Sequence, residues 1–186
     1  MDSGGLKLAI VGATGLVVRT MLLVLQEQAI SLQDLIPMAS PRSAGSKISF
    51  SGQDYRVSCP EDGLWRGADA ALLSPGAAVS RIWVPRLAQE GITCIDNSSA
   101  FRLSDDVPLI VPEVNPDDIR AQDRIIANPN CSTIQLVVAL APLHREFGLM
   151  ELVVSTYQSA SGAGQKGKRR LLAELSETEL PDSPFP

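Results

Sequence analysis

Short apolar runs alternate along the chain with longer stretches of helical periodicity. Leu6 to Val11 reads as a strand closed by Gly12, and Leu16 to Gln28, apolar nearly all round, fits a helix pressed against a sheet. A second strand is expected at Leu35 to Met38. Ile48 to Phe50 and Tyr55 to Val57 form a candidate hairpin turning at Ser51-Gly52. Ala70 to Leu73 reads as a buried strand before Ser74-Pro75-Gly76, Ala77 to Glu90 as a helix kinked or interrupted at Pro85, and Thr93 to Asp96 as a further strand. From Asn97 to Asp123 the pattern is irregular, rich in Pro, Asp and Asn, with one extended piece at Leu109 to Val111. Arg124 to Ala127 predicts a strand leading into Asn128-Pro129-Asn130-Cys131. Ser132 to Phe147 predicts a long helix, with a kink expected at Pro142 and an end at Gly148. Leu152 to Gln158 alternates like a strand of a different sheet. Lys166 to Glu174 begins a helix that the proline-rich tail from Leu180 to Pro186 cannot continue. This is the sequence form of βαβ units: an α/β fold with a mainly parallel sheet and helices on both faces, followed by the start of an α+β region.

Composition narrows the function classes. With 186 residues, 45% hydrophobic and 20% charged, the chain can bury a core. Its 21 acidic against 16 basic side chains leave a formal net charge of -5, which argues against nucleic acid as a partner, because phosphate backbones are held by clustered Lys and Arg. No apolar run is long enough to span a bilayer, and Met1 to Gly5 lacks the basic and apolar regions of a secretory signal, so a cytoplasmic protein without a membrane partner is expected. Cys59, Cys94 and Cys131 are odd in number and widely spaced, matching neither a disulfide framework nor a zinc site. His144 is the only histidine, which excludes a His-rich metal site; no metal is expected.

The candidate chemistry begins at Gly12-Ala13-Thr14-Gly15-Leu16-Val17-Val18, between the first strand and the first helix. There, small residues let backbone N–H groups and a helix N-terminus approach a pyrophosphate. The same residues also fit an ordinary tight turn. The third small position of the usual spacing is filled by Val18. After the second strand, where an NAD enzyme commonly carries an acidic residue for the ribose, stands Ala39-Ser40-Pro41-Arg42-Ser43. Arg42 with Ser40 and Ser43 can pair with a 2′-phosphate, which favours NADP, or Arg42 is simply a solvent-facing loop residue. Cys131 lies at the junction with a long helix, whose N-terminus favours a thiolate. That suits a nucleophile, although a small helix-start residue fits the same position. Cys94, inside an apolar strand, and Cys59, before Pro60, read as structural. His144 lies about 20 Å along the helix from Cys131 and cannot serve it as a base; it reads as a surface residue near the helix C-terminus.

Five blocks in order resemble aspartate-semialdehyde dehydrogenase: Val11-Gly12-Ala13-Thr14-Gly15; Asp96-Asn97-Ser98-Ser99-Ala100-Phe101-Arg102; Val111-Pro112-Glu113-Val114-Asn115; Asn128-Pro129-Asn130-Cys131-Ser132-Thr133; and Ser155-Thr156-Tyr157-Gln158 with Ser161-Gly162-Ala163-Gly164. The resemblance implies an NADP-binding Rossmann domain, set at residues 1–130, followed at 131–186 by the cysteine helix and an incomplete start of an α+β catalytic and dimerisation domain. It implies reductive dephosphorylation of L-aspartyl 4-phosphate to aspartate semialdehyde, in amino-acid biosynthesis, by a homodimer. Under it, Cys131 would form an acyl-thioester, Gln158 would orient the substrate, and Arg102 with Asn130 would hold the departing phosphate. Gly12, Thr14, Gly15, Leu16 and Val17 would line the pyrophosphate, Arg42 and Ser43 the adenosine phosphate, and Ser161 with Gly162 the nicotinamide end. An acyl phosphate carries its own leaving group, so a thiolate attacks it without strong base assistance, and arginine matches phosphate bidentately.

The family's enzymes are nearly twice this length. The expectation is therefore a truncated chain lacking the acid/base histidine, the arginine for the substrate carboxylate, a phosphate-binding lysine and most of the dimer interface. Apolar residues such as Leu152 and Val154 would then be left unpaired or exposed. Val18, and Gly76-Ala77 where two glycines are common, depart from the family pattern, and the bulk of Val18 is expected to act against cofactor binding. Two other readings stand beside the enzyme. One is a noncatalytic NADP-binding or interaction module of the same descent. The other, ranked lower, is N-acetyl-γ-glutamyl-phosphate reductase, whose cysteine is usually followed by Tyr-Pro-Thr rather than Ser132-Thr133-Ile134.

Overall fold

Buried on both faces, the strands of a parallel sheet read as nearly unbroken apolar runs, and the first of them shows how the core is divided. The computed structural model describes residues 5–176. In it β1 (Leu6–Val11) pairs in parallel with β2 (Leu32–Met38) on one side and with β5 (Ala70–Leu73) on the other. Alternate side chains of a strand point to opposite faces. Leu8 and Ile10 accordingly join Val18 and Leu22 of α1 (Leu16–Glu27), while Ala9 and Val11 join Trp83, Val84 and Leu87 of α2 (Ala77–Gln89). The sheet is extended by β6 (Thr93–Asp96) and β7 (Ile125–Ala127), giving the all-parallel order β2-β1-β5-β6-β7 with helices on both faces, the Rossmann-type arrangement expected. β3 (Lys47–Phe50) and β4 (Gln53–Arg56) form the expected hairpin as a separate sheet. Its turn residues Ser51 and Gly52 both have positive φ, at 50° and 78°, the conformation that a two-residue hairpin turn needs.

Topology explains where ligands would go. The chain runs from β1 to β2 and then crosses back to β5 on the far side of β1, so the strand order reverses between β1 and β5. In open parallel sheets, the crevice beyond the carboxyl ends of the strands at such a reversal is the binding site. The two loops that flank this crevice start at Gly12 and Ser74.

Val18 is fully buried among Leu8, Ile10, Leu22, Leu35 and Phe50, so the largest departure from the glycine pattern is a packing residue of α1. The helices α2 and α3 (Cys131–Phe147) both run on through their prolines, Pro85 and Pro142, without interruption. Beyond Gly148 the expectation of a strand at Leu152 to Gln158 is not met: these residues take no regular structure. An extended segment becomes a strand only when a neighbour pairs with its N–H and C=O groups, and among the described residues none does. Leu152 and Val154 are exposed as expected, together with Met150, Val153 and Tyr157. α3 likewise holds no buried residue, despite its apolar face. The chain then forms a short 3-10 segment (Ala160–Ala163) and α4 (Gly164–Leu175), which covers the expected helix at Lys166 to Glu174. Gly167 seats α4 against that segment, since a Cβ there would collide with the Ala160 carbonyl oxygen. The tail from Leu180 to Pro186 lies outside the described residues. Among those residues, no helix is long and apolar enough to cross a membrane, and no cluster of His, Cys, Asp or Glu could hold a metal ion.

Candidate active site at four helix N-termini

The turn after β1 is shaped by one glycine. Gly12 has φ +90°, and a Cβ there would lie 3.0 Å from the Ser74 carbonyl carbon and oxygen, so only glycine lets the two crevice loops come this close. Its N–H and that of Ala13 donate to the Met38 carbonyl at 2.9 and 3.0 Å, which ties the turn to the end of β2. Gly15 caps α1 with no side-chain hydrogen bond, so the first N–H groups of the helix face the crevice without a protein partner.

α1 is not alone. A cavity of about 960 Å³ is lined by Gly15 to Val17 of α1, Gly76 and Ala77 of α2, Asn130 and Cys131 of α3, and Gly164 and Gln165 of α4. Four helix N-termini therefore converge on one space, and α1, α2 and α4 lack a side-chain cap. Each N-terminus presents roughly half a positive charge. Among the described residues, no acidic side chain lines the cavity, and Arg102 is its one ionic group. The space is built for anions.

Arg102 is held from behind. Its Nε donates to the Asn128 carbonyl at 2.9 Å and its Nη2 to the Asn97 carbonyl at 3.0 Å, using two of the five guanidinium N–H groups. Asn97 and Asn128 follow β6 and β7 directly, and the Asn128 side chain donates to Asn97 Oδ1 at 2.6 Å. Asn130, which also lines the cavity, caps α3: its Oδ1 accepts from Ser132 N at 3.0 Å and from Ser132 Oγ at 2.6 Å. Its Nδ2 reaches Gln158 Oε1 at 3.4 Å. Cys131, exposed at the first position of α3, thus sits between Asn130 and Ser132, in a cavity that Arg102 and Gln158 also line.

The other two thiols differ. Cys94 is fully buried, and burial, with Asp96 nearby, pushes its pKa up to about 12. Partial burial, with Asp62 and Glu61 close by, also raises that of Cys59. His144 is exposed near the far end of α3, where its Nδ1 accepts from Leu149 N at 3.0 Å.

A second cavity, of about 470 Å³, lies on the other side of the Gly12 turn, between Thr14, Ser40, Pro41, Glu61 and Trp83. Of the residues predicted for the site, Gly15, Leu16, Val17, Arg102, Asn130, Cys131, Gln158 and Gly162 share the larger cavity, and Gly12 and Thr14 line the smaller one with Gly15. Arg42, Ser43 and Ser161 line neither. Arg42 is exposed, Ser43 Oγ accepts from Thr14 Oγ1 at 3.4 Å, and Ser161 bonds to Ser159. Sequence reasoning missed Asn97 and Asn128, which their place at the carboxyl ends of parallel strands could have flagged. It also missed Ser159, Gln165 and Glu61; the last arrives from a 3-10 turn (Pro60–Asp62) after the hairpin, and no motif marks it.

A crevice at the strand-order reversal, a glycine turn under an uncapped helix and an exposed cysteine sharing a cavity with an anchored arginine define a dinucleotide-binding domain of the dehydrogenase type. Residues 7–122 match the NAD binding domain of semialdehyde dehydrogenase, and residues 140–186 match its dimerisation domain. The chain is 50% identical over 165 residues to the aspartate-semialdehyde dehydrogenase of Aquifex aeolicus, covering 87% of this chain and 48% of that protein. The crystal structure of aspartate semialdehyde dehydrogenase II from Vibrio cholerae, complexed with ASA, superimposes with a TM-score of 0.90 at 43% identity, over 98% of this chain and 56% of that one. The enzyme from Candida albicans, solved with NADP, matches with a TM-score of 0.68 at 28% identity, over 78% of this chain and 48% of that one. The chain belongs to the semialdehyde dehydrogenase family, and it spans about half the length of the curated relatives it matches.

Proposed function

We propose that this chain carries the cofactor-binding and nucleophile half of an NADP-dependent aspartate-semialdehyde dehydrogenase, with residues 1–130 as the nucleotide domain and 131–186 as the start of the catalytic and dimerisation domain. The observation that supports this most is the single acid-free cavity in which four helix N-termini, Arg102 and Cys131 meet. NADP would reach beyond this cavity: the first N–H groups of α1 and the Gly12 turn, which lines the smaller cavity, would hold the pyrophosphate, Arg42 and Ser43, outside both, the adenosine phosphate, and Gly162 the nicotinamide end. When bound, the cofactor supplies or accepts a hydride.

The chain's own residues would handle the acyl group. Cys131 Sγ attacks the acyl carbon of L-aspartyl 4-phosphate, the C–O bond to phosphate breaks, and the phosphate leaves with its electron pair. Arg102, with three N–H groups uncommitted to protein carbonyls, and Asn130 receive that phosphate, while Gln158 orients the acyl group. The exposed apolar residues of α3 and of 149–157 would be covered in a homodimer of the full-length protein.

A second reading, a noncatalytic NADP-binding module, is favoured by one fact: the only histidine stands at the opposite end of α3 from Cys131. The two separate in an assay of NADP reduction by aspartate semialdehyde and phosphate. Turnover, or in its absence a thioester formed from L-aspartyl 4-phosphate, that Cys131→Ala abolishes supports the enzyme half and sinks the module; NADP binding with neither turnover nor a thioester supports the module.

A further inference from the structure

Beneath the cavity lies a buried acid to which the chemistry above gives no role. Asp96, the last residue of β6, is fully buried, yet both carboxyl oxygens are engaged. Oδ1 accepts from Ser80 Oγ of α2 and Oδ2 from Ser98 Oγ of the following loop, each at 2.6 Å. The Ser98 hydroxyl in turn accepts from Ala100 N at 3.1 Å, which closes the first turn of the loop leading to Arg102. The Asp96 main chain is equally committed. Its carbonyl accepts from Asn128 N at 2.9 Å, and its neighbour Asn97 supplies one of the two carbonyls that grip the guanidinium; Asn128 supplies the other.

We propose that Asp96 is a positioning residue for the phosphate site: by fixing Ser98 it sets the path of loop 98–102, and with it the direction in which the free N–H groups of Arg102 point. A hydroxyl has a single proton. Because Ser98 gives its proton to Asp96, it is a fixed acceptor for Ala100, and the loop has one hydrogen-bonded arrangement rather than several. Removing the acceptor at Oδ2 frees that proton and leaves the turn unspecified, although Arg102 itself is untouched. Ser80 makes the same bond on the helix side and does not line the cavity, whereas Ser98 does. Asp96→Asn, which changes no lining residue, therefore reads positioning, and Ser80→Ala reads mere stability. The inference rests on the reading that Arg102 receives phosphate, and its test keeps the two apart.

Inorganic phosphate is titrated by calorimetry into the 186-residue chain saturated with NADP, so that the cofactor's own phosphate sites are filled. Asp96→Asn, which preserves shape, is expected to weaken phosphate binding by about tenfold, the worth of one charge-assisted hydrogen bond, with NADP affinity changed less than twofold. Ser98→Ala, which covers the case in which Asp96→Asn fails to fold, gives a similar loss. Ser80→Ala lowers the melting temperature but leaves phosphate affinity within twofold. Unchanged phosphate binding in both Asp96→Asn and Ser98→Ala, or equal losses in Ser80→Ala and Ser98→Ala, overturns the role of Asp96. Phosphate that does not bind the unaltered chain, or binds equally well after Arg102→Ala, removes the anion site and the inference with it.

Discussion

Replacing Val18 by glycine restores the spacing of a common dinucleotide turn, and the structure says that it damages the protein without helping the cofactor. Val18 is fully buried against Leu8, Ile10 and Phe50 and lines neither of the two cavities. Its three side-chain carbons contribute about 2.4 kcal/mol of burial at roughly 0.8 kcal/mol each. Glycine inside a helix costs up to about 1 kcal/mol more, so Val18→Gly should destabilise by about 3 kcal/mol. For a domain of this size that lowers the melting temperature by about 6–12 °C. The assay pairs a thermal melt followed by circular dichroism with an NADP titration well below the melt. The expected result is the lower melt with a cofactor dissociation constant changed less than twofold. An unchanged melt, or NADP bound about tenfold tighter, would refute the assignment of Val18 to the core alone.

Three further outcomes follow from particular residues. Arg42→Ala should weaken NADP by about tenfold, the value of a charge-assisted contact, and leave NAD unchanged; equal affinities for the two cofactors in both proteins would remove Arg42 from the site. Gly12→Ala should cost about 1–3 kcal/mol for the forced positive φ and weaken NADP as well, because its Cβ pushes on the Ser74 backbone; an unaltered melt and titration would contradict the close approach. Cys94 has its pKa raised from 9.0 to about 12 by burial, so the folded state holds this proton more tightly than the unfolded state. Its contribution is therefore complete below about pH 9 and is lost between about pH 9 and 12, by up to roughly 1.4 kcal/mol per pH unit. Urea melts across that range should show an alkaline fall that is flattened in Cys94→Ala; an equal fall in both proteins would assign it elsewhere.

The parts of the fold legible in the sequence are those whose cause is local. Leu8 to Val11 is apolar on both faces because β1 is flanked by β2 and β5, and Ser51-Gly52 announces a hairpin because its glycine readily takes the positive φ that both turn residues adopt. The Asn-Pro-Asn before Cys131 marks a helix start, and Asn130 caps that helix. Leu152 to Gln158 has the alternation of a strand, but a strand also needs a partner, and pairing is not written in the segment itself. The site was legible in its residue types and not in its construction. Nothing local to Arg102 says that its guanidinium is fastened to carbonyls 5 and 26 residues away, or that Glu61 reaches the smaller cavity from beyond the hairpin. Arg42 shows the converse: its residue type suits a 2′-phosphate, while its side chain is exposed and lines neither cavity.

The most direct measurement is the intact mass of the chain after brief exposure to L-aspartyl 4-phosphate, followed by peptide mapping. The expected result is one aspartyl group added at Cys131, released by hydroxylamine as a thioester is, and absent in Cys131→Ala. No added mass, or an adduct on Cys59 that persists in Cys131→Ala, would contradict the assignment of Cys131 as the nucleophile.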